Sequence, residues 1–310
     1  MLTNNDSLVR LEQKKYYLYR SAYQRYCGEN HINLLKEYFL ERTGKKLNLD
    51  SPQTYNEKLQ WLKLHWRDNL ANQCVDKLSA KRIVSEMGYG EIVGPVLVVF
   101  NTANEIDFSL LPDSFVLKPT NSSGLNLFVT DKDSVDLPRT KKIFEEILKV
   151  HYDAVKLEWC YAGIVPKVIC EPLMKPKPDR PLDYKFYCFH GEVKFVEILT
   201  ARDWVFGHDP EELIVDRYYN RLDFSYSFAN KLRVDKSPDF DKMVCYAEKL
   251  AAPFPHVRID LYNPEEGMIR FGEFTFFPSA GYGQFDPDEF DLRLGSYLDL
   301  TKIDGNFAIN

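Results

Sequence analysis

The spacing of hydrophobic and polar residues divides this chain into a helical first part and a strand-rich second part. Apolar residues recur three and four positions apart across residues 7–43, which predicts helical structure there. A second helix is predicted to begin after Thr54, because Glu57 follows it with the spacing of a capping box. Asp76 is a suitable N-cap for a third helix, which we expect to end at the GYG sequence of residues 88–90.

Beyond this helix, short apolar runs bounded by turn-forming residues predict β-strands. The predicted strands cover residues 94–100, 114–120, 126–130, 165–174, 183–191 and 192–200, with a hairpin at 258–276. Helices are predicted between them at residues 138–152 and 239–254. Because hairpins and helices are mixed along the chain, we predict an α+β fold with antiparallel sheets. We expect residues 1–70 to form a helical N-terminal extension and residues 71–310 to form the main region.

The predicted hairpin, RIDLYNPEEGMIRFGEFTF, carries one acid in each strand, Asp260 and Glu273. Two registers are open. If the whole NPEEG cluster forms the loop, Asp260 lies opposite Arg270 and makes an ordinary cross-strand ion pair. If only Glu266–Gly267 form the turn, Asp260 lies opposite Glu273, and facing carboxylates repel each other unless a cation lies between them. A one-residue shift also moves side chains to the other face of the sheet, so the register decides whether the hairpin holds a charged site.

Composition excludes several classes of function. The chain of 310 residues has a net charge of −6 and no long basic run, so nucleic acid is not expected as its main partner. The six cysteines are scattered without CxxC spacing, which argues against a zinc site or a disulfide framework. The N-terminal residues lack the apolar segment of a signal peptide, and the longest apolar run, residues 92–100, is too short to span a bilayer. We therefore expect a cytoplasmic protein with no transmembrane segment.

Two strand ends have the residue types of a nucleotide site. In SFVLKPTNSSG, a predicted strand ends near Lys118 and continues into a loop of small residues, which could lay backbone N–H groups over phosphates. The alternative is a β-turn with a solvated lysine. In VICEPLM (168–174), the strand ends at Glu171 before a proline. Such a kinked segment can offer backbone groups to an adenine edge, but it can equally be an edge strand that proline terminates.

Other features point to different chemistry. The tripeptide DKD, with Asp131 and Asp133, resembles the acidic motif of metal-dependent glycosyltransferases, although such tripeptides are also common in turns. No histidine lies near Ser122 or Ser123 in the sequence, so a hydrolase triad is not supported. The abundant aromatic residues either pack in a core or stack on sugar rings. The candidates for stacking are Tyr184, Tyr187, Trp204, Tyr218 and Tyr219.

Taken in chain order, these pieces resemble the ATP-grasp superfamily. A strand with a lysine and a small-residue loop comes first, then a strand that ends in glutamate, then an R-x-D strand whose hairpin partner carries a second acid. The likeness is to the TupA-like branch and covers roughly residues 50–300. It is carried by NEKLQWLK (56–63), DKLSAKRIV (76–84), DYKFYCFHGE (183–192) and VRIDLYN…GEFTFFPSAG (257–281).

The resemblance implies an ATP-grasp fold, in which two α/β subdomains with antiparallel sheets clamp ATP. The ATP-clamping subdomain is expected near residues 110–175, and the catalytic, metal-binding core near residues 176–300. The resemblance also implies nucleotide contacts at the phosphates, at an adenine hinge and near the ribose or phosphate. These residues are Lys118, Asn121, Ser122, Ser123 and Gly124 at the phosphates, Glu171, Pro172, Leu173 and Met174 at the hinge, and Asp183 or Lys185 near the ribose or phosphate.

The resemblance further implies a Mg²⁺ site at Asp260 and Glu273, with Arg258 beside the transferred phosphoryl group. Many members of the superfamily place asparagine two residues after the second acid, where this chain has Thr275, a weaker neutral ligand. One Mg²⁺ is therefore better supported than two. A metal between the two acids would remove their repulsion, which favours the tight-turn register of the hairpin.

For activity, the resemblance implies an ATP-dependent carboxylate–amine ligase with Lys118 and Arg258 as catalytic residues and ATP and Mg²⁺ as cofactors. An acyl phosphate would form from the substrate acid, and an amine would convert it to an amide. The acid and the amine are expected to belong to small molecules or to a surface-polysaccharide precursor, such as a uronic acid and an amino acid. The alternatives are a glycosyltransferase that uses Asp131 and Asp133, and a kinase of the same fold that phosphorylates a hydroxyl.

Overall fold

The computed structural model of this protein describes residues 6–15, 31–174, 183–200, 211–226 and 228–303. Trp204 and the middle of the predicted 7–43 helix lie outside the described residues. None of the helices in the described ranges is long and apolar enough to cross a membrane.

The helices occur where the sequence pattern predicts them, with three short additions at α4, α7 and α9. They are α1 (residues 6–15), α2 (His31–Thr43), α3 (Tyr55–His65), α4 (Asn69–Val75), α5 (Lys77–Val84), α6 (Leu137–Ile147), α7 (Tyr152–Lys156), α8 (Phe240–Ala251) and α9 (Glu289–Tyr297). The predicted capping box of Thr54 and Glu57 is present at the start of α3. Asp76 caps α5 by accepting a hydrogen bond from the N–H of Ser79, as predicted.

The strands form two antiparallel sheets, which confirms the predicted α+β class. They are β1 (Val98–Phe100), β2 (Phe115–Pro119), β3 (Leu127–Val129), β4 (Val168–Pro172), β5 (Asp183–Phe189), β6 (Glu192–Leu199), β7 (Glu212–Val215), β8 (His256–Glu265) and β9 (Met268–Thr275). The first sheet has the order β1-β4-β2-β3, and the second has the order β7-β6-β5-β8-β9. The predicted hairpin forms β8 and β9, while β7 was not predicted.

Each sheet has its own hydrophobic core. In the first core, the side chains of the sheet pack with Phe144 of α6 and with Leu8 and Leu11 of α1. In the second core, α3 and α8 cover the sheet, and Tyr55 and Leu59 of α3 are fully buried. The helical N-terminal residues therefore contribute to both cores.

A buried ion triad fastens α5 to the first sheet. Glu171 at the end of β4 accepts from Lys118 of the neighbouring strand β2 at 2.5 Å and pairs with Lys81 of α5 at 2.9 Å. The side chains of all three residues are between 11% and 18% exposed. Although burial opposes ionisation, the two lysines lower the pKa of Glu171 from 4.5 to about 2. The carboxylate is therefore ionised in the folded protein, and it compensates two lysines that would otherwise be costly to bury.

Replacing the carboxylate in Glu171→Gln should lower the free energy of unfolding by about 3 kcal/mol at pH 7, the free energy that corresponds to lowering the pKa from 4.5 to about 2. The pKa of Glu171 is lower in the folded chain than in the unfolded chain. Its stabilising effect is therefore complete above pH 4.5 and is lost as the pH falls toward 2. Urea denaturation of both proteins from pH 7 to pH 3 measures the difference.

The matched control is Glu145→Gln, which removes an exposed i,i+4 pair with Lys149 and should change stability little at any pH. A difference between wild type and Glu171→Gln that stays constant down to pH 3 would show that the ion triad does not hold α5 on the sheet.

Candidate functional site

The hairpin β8–β9 adopts the register in which its two acids face each other. Asp260 pairs with Glu273, and the hairpin closes in the predicted tight turn. Between two bulges the register is shifted by one residue, so Tyr262 pairs with Arg270. Gly272 is the extra residue of the first bulge, and a Cβ atom there would lie 2.9 Å from the carbonyl oxygen of Asp260. The bulge therefore requires glycine, and it keeps the two acids opposite each other.

The cation between the two acids is the guanidinium of Arg258, which lies two residues before Asp260 on the same face of β8. Its Nε and Nη2 atoms donate to the two carboxylate oxygens of Asp260 at 2.6 and 2.7 Å. Nη2 also donates to Oε1 of Glu273 at 3.3 Å and to the hydroxyl oxygen of Thr275 at 3.0 Å. The structure thus brings together the four residues that were predicted around the metal.

A row of charged side chains continues from the acid pair across the second sheet. Lys185 of β5 pairs with Asp260 on one side and with Glu197 of β6 on the other. Glu197 is fully buried, and its Oε2 lies 3.4 Å from Nζ of Lys185. The carboxylates of Glu197, Asp260 and Glu273 thus lie beside the cations Lys185 and Arg258 along one face of the sheet.

Burial and the neighbouring charges set the pKa values of Asp260 and Arg258. Asp260 is 4% exposed, and burial raises the pKa of its carboxyl group to about 7; Glu273 adds to the rise, while Arg258 opposes it. Although burial disfavours its charge, Asp260 and Tyr187 raise the pKa of Arg258 above its ordinary value. The guanidinium therefore stays charged, and Asp260 can release any proton it holds when a second cation arrives.

The carboxylates of Asp260 and Glu273 suit a divalent cation such as Mg²⁺ that is also coordinated by oxygen atoms of a bound ligand. Mg²⁺ is usually bound by one or two carboxylates together with substrate phosphates and water. Asp260 and Glu273 supply two carboxylates of this kind. Across the described part of the chain, no group of three or more His, Cys, Asp or Glu side chains is arranged to hold a metal. Two carboxylates would leave the remaining coordination positions of such an ion to phosphate and water.

The predicted phosphate loop, Asn121–Gly124, follows β2 and is fixed from two sides. Its first two side chains are buried and its third is exposed. The carbonyl oxygen of Ser122 accepts a hydrogen bond from Lys77 of α5, and that of Gly124 accepts one from Lys14 of α1 at 2.9 Å. The hydroxyl oxygen of Ser122 is buried without a hydrogen-bond partner in the described ranges. The loop thus lies beside two lysines that the sequence analysis did not assign to it.

Lys77 and Lys81 are site residues that sequence reasoning missed. They lie one turn apart on α5, where Lys77 contacts the phosphate loop and Lys81 contacts Glu171. Burial lowers the pKa of Lys77, and the carboxylate of Glu273 is the strongest opposing influence. Charges of both sheets therefore act on the Lys77 pKa, those of Lys118 and Glu171 from the first sheet and that of Glu273 from the second. The sequence held a signal for both residues, because the lysines of DKLSAKRIV have the i, i+4 spacing of one helix face.

The predicted hinge residues lie at the end of β4 and directly after it. Glu171 and Pro172 end the strand, and Leu173 and Met174 continue from it with partly exposed side chains. The residues between Met174 and Asp183 lie outside the described ranges, and β5 begins with the buried Asp183. The hinge and Asp183 therefore lie where the chain passes from the first sheet to the second.

Two other candidates lose support. Asp131 caps a short turn of 3-10 helix, and its side chain accepts a hydrogen bond from the N–H of Asp133 at 3.1 Å. This motif therefore has a local structural role. Tyr184 and Tyr187 are fully buried, so they pack in the core and do not stack on sugars, whereas Tyr218 is 70% exposed.

The sequence model of the family described as TupA-like ATPgrasp matches residues 57–299. No curated protein matches the chain. Among solved structures, the chain is similar to the ATP-grasp ligase PsnB complexed with minimal precursor, with 13% identity and a TM-score of 0.36, covering 67% of this chain and 53% of that one. It is similar to D-alanine–D-alanine ligase from Bacillus anthracis complexed with ATP, with 17% identity and a TM-score of 0.37, covering 66% and 55%. It is also similar to D-alanyl-alanine synthetase A from Vibrio cholerae, with 16% identity and a TM-score of 0.41, covering 72% and 63%.

The chain matches between 53% and 63% of the length of these three structures. The family match, in contrast, extends over most of this chain, from α3 to the end of α9, and includes every site residue discussed above except Lys14. The chain therefore belongs to the TupA-like ATP-grasp family.

Proposed function

We propose that this protein is an ATP-dependent carboxylate–amine ligase. The observation that carries the proposal is the acid pair of Asp260 and Glu273, with the Arg258 guanidinium between the two carboxylates. Lys77, which extends from α5 beside the first sheet, is within electrostatic reach of Glu273. Such a combination of carboxylates and cations suits a metal-bound polyphosphate, because the acids hold the metal and the cations hold the phosphate oxygens.

The nucleotide is proposed to lie between the two sheets. Its phosphates would contact Lys118, Lys77 and the N–H groups of the loop Asn121–Gly124. Its base would lie at the hinge of Glu171–Met174, which leads toward Asp183. Asp260 and Glu273 would hold Mg²⁺, which when bound neutralises phosphate charge and orients the phosphoryl group. Glu171 supports this arrangement indirectly, because it fixes the side chain of Lys118.

In the proposed reaction, a carboxylate oxygen of the substrate attacks the γ-phosphorus of ATP. The bond from that phosphorus to the bridging oxygen breaks, and ADP and an acyl phosphate form. An amine nitrogen then attacks the acyl carbon and loses a proton, while phosphate leaves and an amide is made. Arg258 and Lys118 would stabilise the charge of the transferred phosphoryl group, and positioning supplies most of the remaining rate enhancement. No side-chain nucleophile is needed.

The substrates are proposed to be a surface-polysaccharide precursor that carries a carboxylate, such as a uronic acid, and an amino acid or another amine. The likeness to the TupA-like branch supports this choice, because that branch is typified by a protein of teichuronopeptide biosynthesis. The cytoplasm is the proposed location, since the described cysteines are free thiols, as a reducing compartment requires.

The experiment that tests the proposed function traps the acyl phosphate. Incubation with ATP, Mg²⁺ and a panel of uronic acids and amino acids, with hydroxylamine in place of the amine, should give ADP and a hydroxamate. Carboxylates are already ionised at neutral pH and need no general base, whereas an attacking hydroxyl usually does. ADP formed together with a phosphate ester and no hydroxamate would identify a kinase of this fold instead. Consumption of a UDP-sugar without ATP would identify a glycosyltransferase.

The variant Lys77→Ala should weaken ATP binding by about tenfold or more and leave adenosine binding almost unchanged, because a charge-assisted hydrogen bond typically contributes about 1.5–3 kcal/mol. Isothermal titration calorimetry with both ligands measures this. Arg82→Ala is the matched control, since Arg82 is an exposed cation on the same helix that pairs with Glu86. Equal losses for ATP and adenosine would place Lys77 away from the phosphates.

The variant Glu273→Gln should lose binding of Mn²⁺, used as a probe for Mg²⁺, in the presence of ADP. Its side chain is 31% exposed and makes the longer contact with Arg258, so the fold should tolerate the change better than a substitution of Asp260. Electron paramagnetic resonance of free and bound Mn²⁺ gives the affinity without any need for turnover. Glu266→Gln, at the exposed turn of the same hairpin, is the control. Unchanged Mn²⁺ binding in Glu273→Gln would remove this residue from the metal site.

A further inference from the structure

The chain makes an unusual turn directly after β9. Ser279, Ala280 and Gly281 follow one another with positive φ angles of 48°, 54° and 68°. Only glycine adopts this region without strain, so two of the three residues are held in an unfavourable conformation. Ser279 is exposed, while its two successors are buried. Such strain persists only where the surrounding structure determines the backbone, and it is common at functional sites.

Three polar side chains of α3 hold this turn through its backbone. Asn56, Gln60 and Lys63 have the i, i+4, i+7 spacing of one helix face, and each is at most 2% exposed. Gln60 Nε2 donates to the carbonyl oxygens of Ala280 and Gly281 at 3.0 and 2.7 Å.

Lys63 and Asn56 complete the set of contacts. Lys63 Nζ donates to the same Ala280 oxygen at 2.9 Å, and its ammonium lies 4.9 Å from the centre of the Tyr282 ring. Asn56 exchanges two hydrogen bonds with the backbone of Gly283, at 2.8 and 3.0 Å. Apolar residues on this helix face could have packed against the second core equally well. They could not have donated hydrogen bonds to the backbone of the turn, and so could not have fixed its conformation.

Lys63 also connects the turn to the other side of the site. Its ammonium donates to the carbonyl oxygen of Lys156, the last residue of α7, at 2.9 Å. At the start of α7, the hydroxyl of Tyr152 donates to the carbonyl oxygen of Ser123 in the phosphate loop at 3.3 Å. One buried ammonium group therefore joins the turn after β9 to the element that supports the phosphate loop.

The turn lies at the end of the site opposite the hinge. Along the second sheet, Asp183 at the hinge end is followed by the row that contains Asp260, and then by the row of Tyr187 and Arg258. Next to that row lies Tyr226, whose ring centre is 5.8 Å from the ring centre of Tyr187. The Tyr226 ring packs against Gly283, where an added Cβ atom would lie 2.3 Å from the ring. With the nucleotide base at the hinge, the turn borders the side of Arg258 from which an acceptor amine would approach.

We propose that Asn56, Gln60 and Lys63 are positioning residues of the active site. They fix the left-handed turn Ser279–Gly281 at the acceptor end, and Lys63 sets its position relative to the phosphate loop. The inference rests on the proposed ligase function for its chemical meaning, but the restraint on the turn is a property of the free protein.

The test compares two lysines of the same helix. Lys58 also donates to two backbone carbonyls, those of Gly295 and Leu298, each at 2.8 Å, but these lie around the end of α9. Lys63→Met and Lys58→Met each remove an ammonium group and keep an unbranched side chain that is one heavy atom shorter. Two quantities are measured: amide hydrogen exchange of residues 279–283 in the free protein, and the rate of ADP release from ATP and Mg²⁺ with glucuronate and hydroxylamine.

In Lys63→Met, exchange at residues 279–283 should rise by about tenfold or more, while exchange in β5 and β6 stays as in wild type. The kcat for ADP release should fall by about 10- to 100-fold, because small misplacements in an active site are costly, with little change in KM for ATP. In Lys58→Met, exchange at the turn and kcat should stay within about twofold of wild type, whatever the loss of thermal stability. Adding Ala280→Gly to Lys63→Met should recover part of kcat, because glycine adopts the left-handed conformation without strain.

Unchanged exchange at the turn in Lys63→Met would overturn the proposal, and so would faster exchange with unchanged kcat. If Lys63→Met does not fold, Gln60→Met, which removes two hydrogen bonds to the turn without removing a charge, takes its place with the same expected results. The exchange measurement needs no substrate. Absence of ADP release by the wild type would therefore count against the ligase function, while the exchange rates would still decide whether α3 holds the turn.

Discussion

The pairing of the Arg258 guanidinium with the carboxylate of Asp260 is the interaction on which the rest of the site depends. Two carboxylates that face each other in a buried hairpin would repel and would favour a slipped register. The guanidinium contacts both carboxylates and reduces their repulsion, and breaking such a buried pair by removing one partner typically costs about 3–5 kcal/mol. With the acids held in place, β9 needs one extra residue at Gly272 to remain paired with β8, and this bulge sets where Glu273 and Thr275 point.

In the proposed reaction, the same interaction would connect metal binding with phosphate binding. The guanidinium of Arg258 contacts the carboxylate oxygens of Asp260 at 2.6 and 2.7 Å, and a metal held by Asp260 would have to share these oxygens. The hold of Asp260 on the guanidinium would then be weaker, which would leave Arg258 available to an incoming anion. Metal and phosphate would therefore favour each other's binding, since each would compensate charge that the other displaces.

Sequence reasoning succeeded where the chemistry is local and periodic. The two-residue alternation of a strand and the turn-forming cluster predicted the β8–β9 hairpin but left two registers open, and only the family resemblance favoured the one in which Asp260 faces Glu273. The capping box located the start of α3. Sequence reasoning failed for α4, α7 and α9, which are short and lack a sustained apolar period, and for the four-residue strand β7. It also missed Lys77, Lys81 and Lys63, because their partners are carbonyls and carboxylates between 13 and 217 positions away, and the spacing of residues does not show which distant groups a lysine will contact. It grouped Arg258 with the two acids but did not predict that the guanidinium contacts both carboxylates.

These long-range lysines explain how two separate cores form one site. The segment from Tyr152 to Cys160 contributes its first residue to the first core and its last to the second, and Lys63 fastens this segment to the turn after β9. Lys77 makes a similar connection between α5 and the phosphate loop. Each charge-assisted hydrogen bond of this kind contributes about 1.5–3 kcal/mol. A few such bonds join the two cores, whereas each core is held by many large side chains that each cost about 2–5 kcal/mol to truncate. The connection between the two cores therefore depends on far fewer contacts than either core does.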